Sequence, residues 1–328
     1  MTRALGRIAD HLCAADPGHP LRVAVDGITA AGKTTLARSL AAAVRERGRP
    51  AIHLSMDGWH HPRAHRHRQG RDSATGYYED AYDFAAFDRL VLAPLARGAA
   101  YRERVIDLAT DEPIDEPPVA APANAVLVVD GSFLQRDLSW DEVVFVNTTF
   151  QVALDRGAHR DAAAFGGEAA AREAFTRRYH AASRRYLSEV DPAARATVVL
   201  ANDDVSNPRL SRIGGPAGAT VSLFSYGTLQ LPDVQRTHFG RHVDSAPDTL
   251  PGHRTDWVTI TDPAVVAVSG TDRHPIVHHT GDPDDEVPGA VLTLTTDELA
   301  AADTYEVDDY RRHRVQLASG TAAWVYLA

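Results

Sequence analysis

Cysteine is nearly absent from this sequence of 328 residues, in which Cys13 stands alone. A single cysteine excludes an internal disulfide framework and is typical of a reducing compartment. Long apolar runs are absent as well, and none approaches the length of a membrane span. Near the N-terminus, Arg3, Arg7 and Asp10 interrupt the apolar stretch that a signal peptide would need. We therefore expect a cytoplasmic chain with no membrane partner.

Basic residues are outnumbered, and lysine is the rarest of them. The chain has 34 Lys and Arg residues against 44 Asp and Glu residues, a formal net charge of −10. This acidic balance argues against a general nucleic-acid binder. Lys33 is the only lysine, so arginine supplies every other basic side chain. Because a compact ammonium fits a tight phosphate cradle better than a planar guanidinium, Lys33 marks a candidate phosphate site.

Lys33 lies in a stretch that matches G-x-x-x-x-G-K-[ST], the glycine-rich phosphate-binding loop or P-loop. An apolar run at residues 23–25 precedes it as a buried strand, and helical periodicity follows over residues 35–47. Glycine lets backbone N–H groups approach phosphate oxygens, and the helix N-terminus adds partial positive charge. We predict that Lys33 reaches the β- and γ-phosphates of ATP and that Thr34 binds Mg²⁺. The predicted nucleotide-binding residues of the loop are Gly27, Ile28, Thr29, Ala30, Ala31, Gly32, Lys33, Thr34 and Thr35.

Two carboxylates follow predicted strands. The strand over residues 51–55 leads to Asp57, and the apolar run at residues 125–129 leads to Asp130. The carboxyl ends of parallel strands form the ligand crevice in folds of this class. We predict that Asp57 accepts a proton from an attacking hydroxyl and that Asp130 binds Mg²⁺ directly or through water. The alternative for Asp57 is a side chain that only caps the turn before Gly58.

Histidine and arginine are concentrated at residues 60–71. Metal binding is disfavoured there, because cysteine and regular ligand spacing are missing and the arginines would repel a cation. The pattern favours a mobile basic loop over anionic phosphates or a polar substrate, and a solvated surface loop is the alternative. Tyr77, Tyr78 and Asp80 follow as candidates for stacking a base or sugar and binding its hydroxyls. Core packing of the tyrosines is an equal alternative.

A helical region rich in arginine begins near residue 150. Most of its arginines are expected on solvated helix faces. Arg156 and Arg160 precede the break at Gly166 and Gly167, where they would belong to a lid. In that position an arginine stabilises the charge of the transferred phosphoryl group. We therefore add Arg156 and Arg160 to the predicted nucleotide-binding residues.

Residues 1–210 resemble the uridine kinase family, with the pantothenate kinases and phosphoribulokinases as more distant relatives. The resemblance is carried by the P-loop, the strand ends at residues 54–58 and 128–131, residues 77–80, and Arg160 with Asp161. It implies an α/β fold, namely a P-loop NTPase parallel sheet with flanking helices. It also implies ATP-dependent phosphorylation of a primary hydroxyl, for which the nucleoside 5′-hydroxyl is the type case. In that family the residue at the Asp57 position is the catalytic base.

Linker composition at residues 202–220 divides the chain. We assign the kinase domain to residues 1–212, a linker to residues 213–220 and a second domain to residues 221–328. In the second domain the pattern changes to short strands separated by turns, with one clear helix over Thr296–Tyr305. We predict strands at about residues 221–226, 257–261, 290–294, 314–317 and 322–326.

Two spots in the second domain carry candidate chemistry. Tyr226, Gly227, Thr228 and Leu229 leave a predicted strand in a sharp turn whose backbone N–H groups suit a carboxylate or oxyanion. Glu306 ends the helix, where a carboxylate shuttles protons if its surroundings raise its pKa. Either feature alone is commonplace.

Together these features resemble the gamma-glutamylcyclotransferase-like fold, especially the gamma-glutamylamine cyclotransferase branch, over residues 220–328. The resemblance implies a small α+β barrel domain in which the loop at residues 226–229 binds the glutamyl part of a γ-glutamyl compound. It also implies that Glu306 moves a proton while the substrate's α-amine attacks its own γ-amide and releases 5-oxoproline.

The sequence thus predicts a Mg·ATP-dependent kinase acting on a nucleoside-like hydroxyl compound such as uridine, fused to a γ-glutamyl cyclotransferase. The predicted catalytic residues are Lys33, Asp57 and Glu306. One alternative is a nucleotide-switched binding protein that binds ATP without transferring its phosphate. Another is a cyclotransferase as the main activity, joined to a pantothenate-like or sugar kinase. Homo-oligomerisation is left open.

Overall fold

The computed structural model describes residues 3–259, 273–282, 284–306 and 310–327. The chain forms two compact units, one ending at Arg209 and the other beginning at Leu210. None of the helices in the described ranges combines the length and apolar character that a membrane crossing requires.

The first unit is built on a parallel sheet whose strands are apolar because both faces are covered. The strands follow the spatial order β2–β5–β1–β6–β7, and every neighbouring pair is parallel. A separate antiparallel pair, β3–β4, lies between β2 and β5 in the sequence. The strands of this unit are β1 (Leu21–Gly27), β2 (Ala51–Ser55), β3 (Ile106–Asp107), β4 (Glu112–Pro113), β5 (Val126–Asp130), β6 (Glu142–Asn147) and β7 (Val198–Ala201).

Helices connect these strands, and the predicted break at the paired glycines is present. The long helix Phe150–Phe165 begins at Thr149, whose side chain accepts the Val152 N–H, and ends at Gly166 with φ 78°. The α-helices of the unit are Arg3–Ala14, Lys33–Glu46, Arg63–Arg66, Ala74–Asp80, Phe84–Phe87, Ala93–Leu95, Leu134–Asp137, Phe150–Phe165, Glu168–Ala174, Ala181–Val190 and Pro192–Arg195. Met56–Trp59 is a 3₁₀ turn, and Asp88–Leu92 and Phe175–His180 are π-helical.

Sheet register aligns the ends of three strands. Asp130 on β5 pairs with Val25 on β1 and with Ser55 on β2. The P-loop leaves the same end of the sheet, directly after Gly27 on β1, and Asp57 follows β2. Parallel pairing therefore brings together three segments that are far apart in the sequence.

Aromatic residues fill much of the first core. Trp59 and Phe87 are fully buried and meet edge to face, with ring centroids 5.1 Å apart. Phe133 and Tyr186 extend the same cluster, and Tyr78 joins it. Burial of such a side chain stabilises the fold by roughly 1.5–3 kcal/mol.

The second unit contains a mixed sheet in the order β10–β13–β9–β15–β14. β9 and β15 are parallel and the other neighbouring pairs are antiparallel, while β11 and β12 form a separate antiparallel pair. Closure of this sheet into a small barrel stays a prediction. The strands are β9 (Thr220–Ser225), β10 (Ser245–Pro251), β11 (His253–Thr259), β12 (Arg273–His279), β13 (Glu286–Thr295), β14 (Arg311–Gln316) and β15 (Ala322–Leu327), and β8 (Arg209–Ile213) spans the junction of the units.

Among the described residues, the α-helices Pro232–Phe239 and Thr296–Tyr305 accompany this sheet. The second has the predicted bounds, and it starts with a capping box in which Thr295 and Glu298 satisfy each other's backbone N–H groups. Pro232–Phe239, β10 and β12 were not predicted. The strand predicted at residues 257–261 corresponds to the end of β11, and its residues 260–261 lie outside the described ranges.

Candidate functional site

The P-loop is held in shape by side chains from the neighbouring strands. Asn202, just after β7, donates to the Ala31 carbonyl at 2.8 Å, and the Thr148 hydroxyl donates to the same carbonyl at 3.3 Å. Gly32 has φ 99°, and a Cβ there would lie 2.8 Å from Asn202 Nδ2. Glycine is therefore needed at this position both for its backbone conformation and for the close contact.

The Lys33 ammonium points into the loop. Its Nζ donates to the Ile28 carbonyl at 2.8 Å, and the residue is only 9% exposed. Burial lowers the pKa of Lys33 to about 8, against the opposing attraction of Asp26, Asp130 and Asp57. A bound phosphate group would add negative charge beside this buried cation and favour its charged form.

Asp130 is the meeting point of three side chains. The Thr34 hydroxyl donates to Asp130 Oδ2 at 2.5 Å, and the Ser55 hydroxyl lies 3.5 Å from the same oxygen. His53 Nε2 lies 2.7 Å from Asp130 Oδ1. Magnesium is bound by one or two protein oxygens together with substrate phosphates and water. The hydroxyl of Thr34 and the carboxylate of Asp130 fit that donor set.

The P-loop, β2 and β5 enclose a cleft of about 210 Å³, called here the phosphate cleft. It brings Lys33, Thr34, Asp57, Asp130 and Arg160 together, although they come from four separate elements. The remaining lining residues are Thr29, Ala30, Gly32, Thr35, Ser55, Tyr77, Tyr82, Gly131 and Ser132. The three other predicted loop residues, Gly27, Ile28 and Ala31, are buried.

A second cleft of about 350 Å³, called here the acceptor cleft, adjoins the first. The two share Asp57, Tyr77 and Arg160, together with Thr29 and Tyr82. The other residues that line the acceptor cleft are His60, Arg66, His67, Ala81, Leu108, Asp161, Phe175, Arg178 and Tyr179. A compound in this cleft would therefore face the phosphate cleft across Asp57.

Asp57 has the environment of an ionised carboxylate. His60 Nε2 lies 3.8 Å from Asp57 Oδ1. The nearby His60 imidazole, and to a smaller extent Lys33 and Arg160, hold the pKa of Asp57 below its usual value. The Asp57 backbone N–H donates to Ser55 Oγ at 3.3 Å, which caps the short turn that carries the carboxylate.

Outside the P-loop, three predicted site residues of the first unit line neither cleft. Tyr78 donates its hydroxyl to Glu189 at 3.0 Å within the aromatic core, as the packing alternative expected. Asp80 is buried and accepts from Arg68 at 2.5 Å. The guanidinium of Arg156 donates to the carbonyls of residues 202 and 203, at 2.9 and 2.7 Å. Arg156 therefore contacts the segment that holds the P-loop.

The histidine- and arginine-rich stretch is partly anchored to the fold. Arg66 is buried and pairs with Asp111 at 2.6 Å, and Arg68 pairs with Asp80. The rings of His61 and His65 are stacked, with centroids 4.0 Å apart. These contacts show that the stretch is not simply a solvated loop, because two of its arginines bind carboxylates of the same unit.

Sequence reasoning missed a buried network behind the P-loop. Asp26 is fully buried and accepts hydrogen bonds from Tyr186 and from Gln135, the latter at 3.1 Å, and from the Gly27 N–H at 2.8 Å. Burial raises the pKa of Asp26 above its usual value. A carboxylate inside an apolar strand could have indicated that Asp26 needs buried hydrogen-bond donors. Its partner Tyr186 lies 160 positions away, so the sequence could not show which residue donates to it.

His53 was also missed. It shares the period-two pattern of β2 with Ser55, so both side chains leave the strand on one side. That pattern could have indicated a second partner for Asp130.

In the second unit, the predicted loop and helix end lie near each other. Thr228 Oγ1 lies 2.9 Å from the Tyr305 hydroxyl, one residue before Glu306. Tyr226 donates its hydroxyl to the Tyr326 carbonyl at 2.7 Å. Burial raises the pKa of Tyr226, and the charges of Tyr310 and Glu306 add to that effect. Leu229 is buried, and its carbonyl accepts from the buried Gln235 side chain at 3.0 Å.

Beside Glu306 lies a buried charged group for which the sequence predicted no role. Asp303 accepts from the Tyr326 hydroxyl at 2.7 Å and lies 3.3 Å from Arg312 Nε. The Arg312 guanidinium also lies over the Trp324 ring, 4.7 Å from its centroid. All of these side chains are largely buried, so they join the helix end to β14 and β15.

Comparison with known proteins gives results for both parts of the chain. Residues 223–328 match the family described as gamma-glutamyl cyclotransferase, AIG2-like. A possible uridine kinase from Bacillus stearothermophilus is 23% identical, covers 60% of this chain and 96% of its own, and has a TM-score of 0.49. A candidate fructose transport system kinase from a Silicibacter species is 24% identical and has a TM-score of 0.50. The match covers 57% of this chain and 95% of the Silicibacter chain. A protein of Arabidopsis thaliana is 25% identical and has a TM-score of 0.27. The match covers 33% of this chain and 68% of the Arabidopsis chain. A search of curated proteins found no significant match.

The family match confirms the predicted resemblance of the C-terminal part to the cyclotransferase-like proteins. The similarity to the Silicibacter structure confirms the predicted fold class of the first unit, an α/β fold on a P-loop parallel sheet. At 24% identity it establishes a shared fold and leaves the substrate open. The chemistry therefore has to be argued from the residues of the two clefts and of the helix end.

Proposed function

We propose that the first unit transfers the γ-phosphoryl group of Mg·ATP to a hydroxyl of a small molecule. The observation that carries this proposal is the position of Asp57, which lines both the phosphate cleft and the acceptor cleft. A hydroxyl bound in the acceptor cleft can donate its hydrogen bond to this carboxylate while its oxygen faces the phosphate cleft. A base at this boundary has a role in phosphoryl transfer and none in nucleotide binding alone.

Each remaining group of the phosphate cleft has a separate task. The loop amides and the N-terminus of helix Lys33–Glu46 bind the β- and γ-phosphates, and Lys33 adds a cation at the group that is transferred. Thr34 and Asp130 would hold Mg²⁺, which neutralises charge on the phosphate oxygens when it is bound. Arg160 lines the same cleft and can stabilise charge on the transferred group, provided that it leaves Asp161.

Phosphate transfer can be separated from hydrolysis in the full-length protein. The experiment follows the label of [γ-³²P]ATP with and without hydroxyl acceptors, including uridine, ribose and glycerol. Appearance of a labelled phosphate ester, dependent on Mg²⁺, supports the kinase. Tight ATP binding with release of inorganic phosphate alone, whatever acceptor is added, would favour the nucleotide-switched binding protein.

For the second unit we propose γ-glutamyl cyclotransfer, with residues 226–229 binding the glutamyl group and Glu306 moving the proton. The family match and the contact between Thr228 and Tyr305 beside Glu306 support this assignment. The substrate α-amine would attack the γ-carbonyl carbon and pass a proton to Glu306. The γ-amide C–N bond would then break, and Glu306 would give that proton to the released amine.

Release of 5-oxoproline from γ-glutamyl amines, γ-glutamyl amino acids and glutathione, measured by chromatography, tests this second activity. Production from at least one of these classes supports it. If none of them yields 5-oxoproline above the uncatalysed rate, the second unit lacks this activity. In that case the alternative of a cyclotransferase as the main activity is excluded as well.

A further inference from the structure

The acceptor cleft contains an arginine that pairs with no carboxylate among the described residues. Arg178 lines this cleft from the π-helical segment Phe175–His180. Its Nε is buried and makes no hydrogen bond within the described part of the chain. Its guanidinium lies over the rings of Tyr77 and Tyr179, 5.3 and 5.2 Å from their centroids. Stacking on a ring leaves the N–H donors at the edge of a guanidinium available to an anion.

The other two arginines of this cleft already have partners. Arg66 pairs with Asp111 at 2.6 Å. Arg160 makes two hydrogen bonds of 2.7 Å to Asp161. Arg178 is therefore the arginine of the acceptor cleft whose charge the described residues do not balance. A buried or half-buried cation is costly to keep without a counter-charge.

The fold places Arg178 in the cleft by a specific packing contact. A Cβ at Gly157 would lie 2.2 Å from Phe175 Cε1, so only glycine lets helix Phe150–Phe165 approach the Phe175 ring this closely. Phe175 begins the π-helical segment, and Phe175 and Arg178 both line the cleft. A π-helical turn changes the direction of the side chains it carries and is often found at functional sites.

The surroundings of His67 indicate a positive potential in the same place. Burial lowers the pKa of the His67 imidazole, and the guanidinium of Arg178 is the largest charge that adds to this effect, followed by that of Arg66. His67 lines the cleft beside both arginines. At neutral pH it can therefore serve as an uncharged hydrogen-bonding group next to a bound anion.

We propose that Arg178 binds an anionic group, a carboxylate or a phosphate, on the compound whose hydroxyl is phosphorylated. This proposal rests on the proposed kinase function. Asp57 and Arg178 line the same cleft of about 350 Å³, so one small molecule can present its hydroxyl to the first and its anionic group to the second. The rings that would cover its carbon skeleton are those of Tyr77, Tyr82, Phe175 and Tyr179. A neutral nucleoside would leave Arg178 without a counter-charge.

The test compares acceptors with and without an anionic group on the same carbon skeleton, using the whole chain and Mg·ATP. The matched pairs are pantothenate and pantothenol, gluconate and glucitol, and ribose 5-phosphate and ribose, with uridine as the neutral nucleoside. We expect phosphorylation of an anionic member, with kcat/KM at least tenfold above that of its neutral partner. Comparison of the two carboxylate pairs with the phosphate pair shows whether Arg178 prefers a carboxylate or a phosphate.

Variants of two neighbouring arginines distinguish binding from a general effect on the fold. Arg178→Gln is expected to raise KM for the anionic acceptor by roughly 10- to 100-fold, the range for a lost hydrogen bond to a charged group, with KM for ATP unchanged. Arg178→Lys keeps the charge and should recover part of the loss. Arg177→Gln is the control, because Arg177 is exposed and pairs with Glu173 on the same helix surface.

The outcomes separate this proposal from the kinase assignment. If uridine or another neutral compound is phosphorylated best and Arg178→Gln leaves its KM unchanged, the anionic acceptor is wrong and the kinase stands. If no compound is phosphorylated while ATP binds, the kinase assignment and this proposal fall together. Should Arg178→Gln lower the melting temperature, the ratio of KM for the anionic acceptor to KM for ATP, compared with Arg178→Lys, still decides the question.

Discussion

The Lys33 ammonium donates a hydrogen bond to the carbonyl of Ile28, five positions earlier in the same loop. The ammonium group is thus held inside the P-loop, where an anion would be bound. Its burial lowers its pKa to about 8. A bound phosphate would replace the carbonyl as partner and would restore the preference for the charged form.

Removal of this amine should abolish phosphoryl transfer. We expect Lys33→Ala to lower kcat for ATP-dependent phosphorylation by on the order of 10²- to 10³-fold, because the transferred group loses its closest cation. The measurement is the labelled-ATP assay. A melting temperature close to that of the wild type would show that the loss comes from the missing amine rather than from unfolding. Retained turnover in the purified variant would show that the site is wrongly assigned.

ATP affinity should fall as the pH rises above about 8. Below that pH free Lys33 is protonated, and above it the free enzyme loses the proton that the phosphate-bound form keeps. Binding then requires proton uptake, and the association constant should decrease by up to tenfold per pH unit until the pKa of the bound form is reached. Calorimetric titrations from pH 7 to 9.5 measure this effect. A flat profile for the wild type, or an equal slope in Lys33→Ala, would contradict it.

Asp57 should affect transfer more than binding. We expect Asp57→Asn to lower kcat by roughly 10²- to 10⁴-fold, the usual contribution of a general base, with little change in the affinity for ATP. Asp16→Asn is the matched control, because Asp16 is exposed and lines neither cleft. Equal activity of the two variants would exclude Asp57 as the catalytic base.

The network behind the P-loop should contribute to stability. Tyr186→Phe removes a hydroxyl that donates to the fully buried Asp26, and the carboxylate then lacks one of its donors. We expect the free energy of unfolding to decrease by about 1–3 kcal/mol. Tyr78→Phe is the control, since its hydroxyl binds the more exposed Glu189 and its loss should cost less. Chemical denaturation of the two variants compares them, and equal losses would argue against a special role for Asp26.

Glu306 should be required for any release of 5-oxoproline. We expect Glu306→Gln to reduce that release by roughly 10²- to 10⁴-fold, because the amide cannot transfer the proton. Glu286→Gln provides the control, as Glu286 is exposed on β13. Equal yields from the wild type and Glu306→Gln would exclude Glu306 as the acid or base.

Much of the first unit could be predicted because its signals are local. The P-loop, the apolar strands that lead to Asp57 and Asp130, and the break at Gly166 each lie within a few residues of the chain. The second unit was harder to predict from the sequence. The strand β10 was missed, since its residues include two prolines and an aspartate and its stability comes from pairing with β13 rather than from propensity.

The site residues divide in the same way. Local sequence determined that a phosphate loop with one lysine exists, that carboxylates follow two strands, and that a glutamate ends a helix. Only the tertiary structure placed Asp57 between two clefts, paired Asp26 with Tyr186, buried Tyr78 in the core and brought Arg178 beside Tyr77 without a carboxylate partner among the described residues. The physical reason is that burial, pairing and uncompensated charge depend on which distant segments meet. These tertiary contacts arise from parallel strand pairing and helix packing, which cannot be predicted from any short segment of the sequence.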